Sequence, residues 1–124
     1  VVRRCPPAEA AQFLVEALLA ESEGTAADVD GFTLGRPITL AGALRYHAPR
    51  ESPFGTFDEV AQCVIAEGEG GKVCSHCCVR TGRLKSYKVD AQVGYLALVY
   101  TVPEHRGRGV GAAVVREAVG MCFE

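Results

Sequence analysis

The sequence has no apolar run long enough to span a membrane and no apolar leader at its N-terminus. None of its hydrophobic stretches approaches the roughly 18 residues that a membrane helix needs, and residues 1–6 include two arginines and a proline where a secretory signal would become apolar. The chain also lacks an initiator Met, as expected of a trimmed or processed chain. No charge sign is in large excess, because the net charge is −2 at pH 7, which argues against a broad nucleic-acid surface. We therefore expect a cytoplasmic protein without membrane or nucleic-acid partners.

The size and composition are those of one globular domain. The chain has 124 residues, of which 48% are hydrophobic and 23% are charged. This is enough apolar material for one core, and the length leaves no room for a second. We treat residues 1–124 as a single domain.

Six cysteines are the unusual part of the composition. The segment Cys74-Ser75-His76-Cys77-Cys78 has a CxxC spacing with a histidine inside it, which invites a zinc interpretation. Zinc needs four ligands, however, and no second CxxC or histidine pair follows at a usual distance. We interpret the segment as a strand in which cysteine is a small hydrophobic residue, and we predict no metal. A zinc module centred on it is kept as an alternative.

Hydrophobic periodicity predicts the order β-α-α-β-β-β-α, an α/β layered domain. The first helix carries a polar stripe of Glu9, Gln12 and Glu16 opposite an apolar one. The last strand is apolar on both faces, which is typical of the centre of a sheet. The predicted segments are a strand at 1–5, helices at 8–22 and 38–47, a loop with aromatic anchors at 49–57, strands at 59–67, 72–80 and 92–102, glycine-rich turns at 67–71 and 81–82, and a helix at 109–122.

The turn between the last strand and the last helix is built to hold phosphate. A helix N-terminus leaves several backbone N–H groups unpaired and carries a partial positive charge. Glycines at 107, 109 and 111 remove the Cβ atoms that would keep a diphosphate away from those amides. Arg106 and Arg108 add two cations at the same place. On physical grounds alone, residues 106–112 form a phosphate cradle.

Two familiar phosphate-binding motifs fit this turn poorly. A Walker loop needs a Lys-Ser or Lys-Thr pair after its glycines, and none follows here. Gly107–Ala112 can be written as GxGxxA, the dinucleotide form, but that form also needs an acidic residue about 20 positions later, where this sequence has ended. A dinucleotide site and a purely structural glycine turn remain open as lesser alternatives.

The segment from Val99 to Gly111 resembles the GNAT superfamily of N-acetyltransferases. The family signature is an apolar strand, a Pro-acidic turn, and [QR]-x-x-G-x-[GA] at the start of a helix, and here Arg106, Gly109 and Gly111 fill its defining positions. The resemblance implies a mixed, largely antiparallel sheet flanked by helices. It also implies transfer of an acetyl group from acetyl-CoA to a primary amine, without a covalent enzyme intermediate.

The resemblance assigns roles to particular positions. Backbone amides of the turn would hold the diphosphate of acetyl-CoA, and the backbone of the preceding strand would pair with the pantetheine arm. The amide of Val99 would stabilise the oxyanion that forms when an amine attacks the thioester. The implied cofactor-binding residues are Val99, Tyr100, Thr101, Arg106, Gly107, Arg108, Gly109, Val110, Gly111 and Ala112.

The general base is not identified by the sequence. Many relatives place a glutamate four residues before the oxyanion amide, and this chain has Tyr95 there. Asp90 is a second weak candidate, acting through water. Glu104 and His105 lie in the turn and are interpreted as solvated.

The family pattern continues after the last helix, whereas this sequence stops at Glu124. The strand that would border 92–102 is therefore expected from further sequence or from a partner chain, such as a second copy, because an uncovered apolar edge favours pairing. Without that part and without the usual carboxylate, the alternative is a non-catalytic acyl-CoA-binding or interaction module of the same fold.

Overall fold

The structure is a computed structural model and describes residues 1–22, 39–85 and 88–124. These residues form six strands, three α-helices and two short 3₁₀ turns, at Glu69–Gly71 and Pro103–His105. In chain order the strands and α-helices are β1 (Val2–Cys5), α1 (Pro7–Ser22), α2 (Leu40–Tyr46), β2 (Arg50–Ser52), β3 (Gly55–Phe57), β4 (Gln62–Glu67), β5 (Val73–Lys85), β6 (Asp90–Thr101) and α3 (Val110–Met121).

A single sheet is organised around β5. One side of this strand pairs with β4 over its first half and with β3 over its second half, while the other side pairs with β6. β1 extends the sheet beyond β4, and β2 extends it beyond β3. All of these pairings are antiparallel. The predicted α/β class with a largely antiparallel sheet is confirmed.

The prediction that 92–102 lies at the centre of the sheet is wrong for the described residues. In that part of the chain β6 pairs only with β5, and its side chains Tyr95 and Val99 are 46% and 43% exposed. The buried central strand is β5, whose residues Cys74 to Arg80 are buried without interruption. The sequence of β5 does not predict its central position, because serine, histidine and cysteine do not form the aliphatic run that is typical of a central strand.

The segment 49–57, predicted as a loop, contains a β-hairpin. β2 and β3 pair through Arg50–Phe57, Glu51–Thr56 and Ser52–Gly55, and Ser52 Oγ accepts a hydrogen bond from the Phe54 amide at 3.2 Å. Two prolines at 49 and 53 suggested a loop, but both lie outside the strands.

The turn predicted at Thr81-Gly82 is also wrong, because β5 continues through both residues. Gly82 pairs with Phe57 of β3 on one side and with Val93 of β6 on the other. A Cβ at Gly82 would lie 2.4 Å from the carbonyl oxygen of Thr56. The glycine is there for a close approach of two strands. The glycine-rich turn at 67–71 is confirmed, with Gly70 and Gly71 at φ 75° and 76°.

The helices form a layer on each face of the sheet. Ala10 of α1 packs with Cys63 and Ile65 of β4, and Leu14 and Leu18 pack on Tyr100. On the opposite face, Val114 and Ala118 of α3 pack on aliphatic and cysteine side chains of β4 and β5, namely Val64, Ala66, Cys74, Cys77 and Val79. β4 and β5 are therefore covered on both sides.

Helix boundaries follow local signals. α1 begins at Pro7, as suits a proline in a first turn, with Glu9 beside the positive end of the helix. α2 is shorter than the predicted 38–47 because Thr39 caps it: its Oγ1 accepts a hydrogen bond from the Gly42 amide at 3.0 Å. Ile38 lies outside the described residues.

Candidate functional site

The chain reverses direction between β6 and α3 through two glycines in the left-handed region. Pro103–His105 form a 3₁₀ turn, and the path then passes through Gly107 at φ 79° and Gly109 at φ 81°. A residue with a Cβ adopts this conformation at a cost of about 1–2 kcal/mol. The two glycines are therefore required by the path of the backbone itself.

The N-terminus of α3 presents backbone N–H groups that no side chain caps in the described part of the protein. Gly109 is the N-cap residue, and the first bond of the helix runs from the Ala113 amide to the Gly109 carbonyl at 3.1 Å. The amides of Val110, Gly111 and Ala112 precede that bond and so have no acceptor within the helix. Together with the helix dipole, they form a site that favours an anion.

The third glycine of the turn has a different role. A Cβ at Gly111 would lie 3.0 Å from Oγ1 of Thr101, whereas a Cβ at Gly107 or Gly109 would meet nothing within 4 Å. Gly111 lets α3 start close to the end of β6. The open space at Gly107 and Gly109 leaves the exposed amides approachable.

Arg106 links the turn to α1. Its Nε donates to the Thr101 carbonyl at 2.9 Å, its guanidinium pairs with the Glu21 carboxylate at 2.9 Å, and it lies over the Tyr100 ring with 5.5 Å to the centroid. Its backbone amide donates to the Pro103 carbonyl at 3.2 Å. Arg106 thus holds the turn in place, and Arg108, the second predicted cation, is exposed.

Replacement of Glu21 by Ala tests this link. The Glu21 carboxylate also accepts a hydrogen bond from the hydroxyl of Tyr100, a residue that is 2% exposed. Its removal leaves a buried hydroxyl without this acceptor, so we expect a loss of about 1–3 kcal/mol in the free energy of unfolding. Urea denaturation measures the loss. Glu16→Ala, at an exposed position of the same helix, is the control and should change stability by less than about 0.5 kcal/mol. Equal effects of the two substitutions would contradict the proposed link.

β6 carries a bulge just before Val99. Tyr100 pairs with His76 and Ala97 pairs with Cys78, so Leu98 and Val99 lie opposite Cys77 alone. Leu98 has φ 54°, and no other described residue except glycine has a positive φ. Such a conformation is strained, and bulges often re-aim a strand beside an active site.

Beyond the bulge, backbone groups of β6 point to the open edge of the sheet. The Val102 amide donates to the Cys74 carbonyl on β5 at 2.9 Å. Neighbouring residues of a strand direct their N–H and C=O groups to opposite edges, so those of Val99 and Thr101 face outward. In the described residues no strand pairs with this edge. The predicted pantetheine contacts and the anion site are therefore adjacent.

The two candidate bases lie in different places. Tyr95 is half exposed, with its ring centroid 5.3 Å from that of Phe57 in β3. Asp90 begins β6, nine residues and about 30 Å of extended strand from Val99. It pairs with Arg83 at 2.6 Å, and this hydrogen bond holds the pKa of the carboxyl below its usual value. The structure does not bring Asp90 to the bulge, and a carboxylate with a lowered pKa is a weaker base.

A cavity of about 790 Å³ lies between α1 and the C-terminal end of β6. Its lining includes the whole polar stripe of α1 together with the residues of the 3₁₀ turn, and the charged or polar members are Glu9, Gln12, Glu16, Glu21, Lys72, Glu104 and His105. The α1 stripe and Glu104 thus border a cavity. Sequence periodicity predicts which side of α1 is polar, but it does not show that α1 and the 3₁₀ turn leave a space between them.

Fold and site together define a class of protein: a layered α/β domain that offers a helix N-terminus for an anion next to an open strand edge. The sequence profile of the acetyltransferase (GNAT) family matches residues 30–124. The chain belongs to this family of acetyltransferases. A comparison with curated proteins gave no match.

Solved structures of acetyltransferases share the fold. Glucosamine-6-phosphate N-acetyltransferase from Arabidopsis thaliana aligns with a TM-score of 0.54 at 17% identity, over 99% of this chain and 74% of its own. An acetyltransferase from Trypanosoma brucei aligns with a TM-score of 0.54 at 16% identity, over 98% of this chain and 72% of its own. Aminoglycoside 6'-N-acetyltransferase from Acinetobacter haemolyticus aligns with a TM-score of 0.51 at 14% identity, over 99% of this chain and 71% of its own. In the described residues, no helix is both long and apolar enough to cross a membrane.

Proposed function

We propose that this chain binds acetyl-CoA and transfers its acetyl group to a primary amine. The observation that carries the proposal is the adjacency of two features: the uncapped N-terminus of α3 and the open edge of β6. The first suits a diphosphate and the second suits an extended arm that carries amide groups. Acetyl-CoA has both parts, joined in that order.

The residues of the turn and of the strand would bind different parts of acetyl-CoA. Amides of Val110, Gly111 and Ala112 would hold the diphosphate, with Gly107 and Gly109 keeping them accessible and Arg108 adding charge. The outward groups of Val99 and Thr101 would pair with the pantetheine arm. The Val99 amide, set by the bulge at Leu98, would donate to the thioester carbonyl and stabilise the developing oxyanion.

The acceptor amine would attack the thioester directly, so the protein contributes mainly positioning and electrostatics. The cavity beside α1 supports an amine as the acceptor class. Of its acidic wall residues, Glu9 is ion-paired to Arg3 and Glu21 to Arg106, and the other two, Glu16 and Glu104, outnumber the single lysine of the wall, Lys72. Of the candidate bases, Tyr95 is closer to the bulge along β6 than Asp90.

A second candidate function is acyl-CoA binding without catalysis. It is favoured by one observation, the position of the single carboxylate of β6: Asp90 is ion-paired at the far end of the strand. The open edge of β6 would then serve as an interaction surface, covered by a second copy or by another chain.

Calorimetry and product analysis separate these functions. Acetyl-CoA should bind, and acetyl-pantetheine, which lacks the diphosphate, should bind at least about 100-fold more weakly if the turn contributes the roughly 2.7 kcal/mol that this ratio represents. Acetylated product and free CoA are then measured by mass spectrometry over a panel of amines, because a thiol dye would also react with the partly exposed Cys122. Turnover supports the first function, and binding without turnover supports the second. Absence of binding contradicts both.

A further inference from the structure

Four side chains from three separate segments meet on the face of the sheet that α1 and α2 cover. Cys63 of β4 and Cys78 of β5 are partners in the strand register, and His76 is two residues before Cys78, so all three lie on one face. His47 approaches them from the end of α2. Sequence spacing does not reveal this cluster, because only the fold joins position 47 to positions 63 and 76–78.

The distances from Cys78 Sγ to the other three donors are close to those between tetrahedral zinc ligands. The two sulfur atoms, Cys63 Sγ and Cys78 Sγ, are 3.4 Å apart. Cys78 Sγ lies 3.5 Å from His47 Nε2 and 3.8 Å from His76 Nε2. Zinc bonds of about 2.3 Å to sulfur and about 2.0–2.1 Å to nitrogen place tetrahedral ligand atoms roughly 3.3–3.8 Å from one another. Donor atoms of His47, Cys63 and Cys78 all lie within 4.8 Å of each other. His76 lies outside this group, so its ring would move toward the other donors when it completes the site.

The cluster is removed from water. Cys63, His76 and Cys78 are 0% exposed and His47 is 7% exposed. His47 Nδ1 has no hydrogen-bond partner among the described residues, so the sulfur of Cys78 is the ring's one polar contact there. Coordination of Nε2 would replace this weak contact with a metal–nitrogen bond, and the proton of the neutral ring would then be on Nδ1.

The ring of His76 is held in an orientation that suits coordination, and the backbone that carries His47 is fixed. His76 Nδ1 lies 2.8 Å from the Leu98 carbonyl, which can only accept, so Nδ1 carries the proton and Nε2 presents its lone pair toward Cys78. The backbone around His47 is fixed on both sides, because Arg80 donates to the carbonyls of Tyr46 and Ala48 at 2.6 and 3.3 Å. The His47 carbonyl in turn accepts from the Val60 amide at 2.8 Å.

We propose that His47, Cys63, His76 and Cys78 form a closed structural zinc site. Two thiolates and two neutral imidazoles balance the charge of Zn²⁺, and this set of borderline-soft ligands disfavours Mg²⁺ and Ca²⁺. Four protein ligands leave no open position, so the site is structural and not catalytic. Since it is buried, it would be loaded as the chain folds.

The CxxC segment is not the site that its spacing suggests. Cys74 and Cys77 belong to the cluster that faces α3, and Cys74 Sγ contacts the Ala66 carbonyl at 3.5 Å. Only Cys78 and His76 of that segment reach the proposed site. Cys74 and Cys77 are therefore matched controls, as buried as the ligands and on the same strand.

Such a site would join α2 to the sheet directly beneath the bulge. His76 would bind zinc through Nε2 while its Nδ1–H holds the Leu98 carbonyl, so the cation would set the orientation of the ring that supports the strained residue. The inference does not depend on acetyl transfer, because its readouts are metal content and coordination.

Cobalt substitution tests the proposal. The protein is refolded under reducing, anaerobic conditions with one equivalent of Co²⁺. We expect the thiolate-to-cobalt charge-transfer bands and intense visible bands of a tetrahedral site, and their loss on addition of one equivalent of Zn²⁺. Cys63→Ala and Cys78→Ala should weaken Co²⁺ binding at least about 100-fold, more than the loss of an outer-shell partner. Cys74→Ala and Cys77→Ala should leave it unchanged.

X-ray absorption on the unmodified zinc-loaded protein covers the case in which a variant does not fold. Two sulfur and two nitrogen neighbours of the zinc support the site. Four sulfur neighbours, or a zinc with no sulfur neighbour, overturn it. The proposal also fails if no tetrahedral cobalt spectrum forms, if the spectrum survives both ligand substitutions, or if Cys63 and Cys78 are found as a disulfide in protein isolated with its thiols blocked at lysis.

Discussion

Replacement of Gly109 by Asp is expected to lower the affinity for acetyl-CoA at least about 100-fold. Gly109 is the N-cap of α3, where three amides and the helix dipole favour an anion. A carboxylate there would occupy the space over those amides and repel the diphosphate. A pair of unit charges at 4 Å is worth about 4 kcal/mol near a protein surface, and a 100-fold change in affinity requires about 2.7 kcal/mol.

Two further variants separate charge from backbone strain. Gly109→Ala keeps the φ of 81° unfavourable without adding charge, so it should lower stability by about 1 kcal/mol and affect affinity far less. Gly120→Asp puts the same charge at the other end of α3, where a Cβ meets nothing within 4 Å. Calorimetric titration of all three variants gives the affinities. Binding by Gly109→Asp that matches the Gly120→Asp control would exclude the turn as the diphosphate site.

The second large effect is expected at Gly82, in the middle of the central strand. Its added Cβ would lie 2.4 Å from the Thr56 carbonyl oxygen and 2.7 Å from the Phe57 ring. Since the first of these contacts is with backbone, one strand must shift, and we expect Gly82→Ala to lower the free energy of unfolding by about 2–3 kcal/mol.

Gly120→Ala is the matched control, and its effect should have the opposite sign. Gly120 lies in α3 with open space around its Cβ position, so alanine should stabilise the helix by about 0.5 kcal/mol. Chemical denaturation of both variants gives the two values. If Gly82→Ala is as stable as the unchanged protein, β3 does not pack against β5 as described.

Local features of the sequence predicted the parts of the fold that depend on neighbouring residues. The glycines at 70 and 71 marked a turn, and the glycines from 107 to 111 marked the turn between β6 and the start of α3. Each of these features depends on backbone conformation within a few residues, and the presence of glycine indicates that conformation directly. The resemblance of the segment from Val99 to Gly111 to the GNAT superfamily is confirmed by the family match over residues 30–124.

The failures concern which residues meet across the sheet. Gly82 looks the same in sequence whether it permits a turn or a close strand contact, and only the neighbouring strand decides. β5 is central although its composition is polar, because His76 and Ser75 find partners on β6 in the Leu98 and Tyr100 carbonyls. Likewise, the position of His47 beside Cys78 depends on how α2 docks, which no local pattern encodes.

One edge of β5 is shared by β4 and β3, and these two partners are held to it to different extents. The β2–β3 hairpin contacts β5 through three residue pairs, at positions 55–57, and β2 is exposed along its whole length. β4, by contrast, is paired on both sides and covered by helices on both faces. The hairpin can therefore detach while the rest of the sheet stays intact, and native-state hydrogen exchange should find its amides in a separate, less protected unit. Because Phe57 leaves with it, each opening would uncover Tyr95.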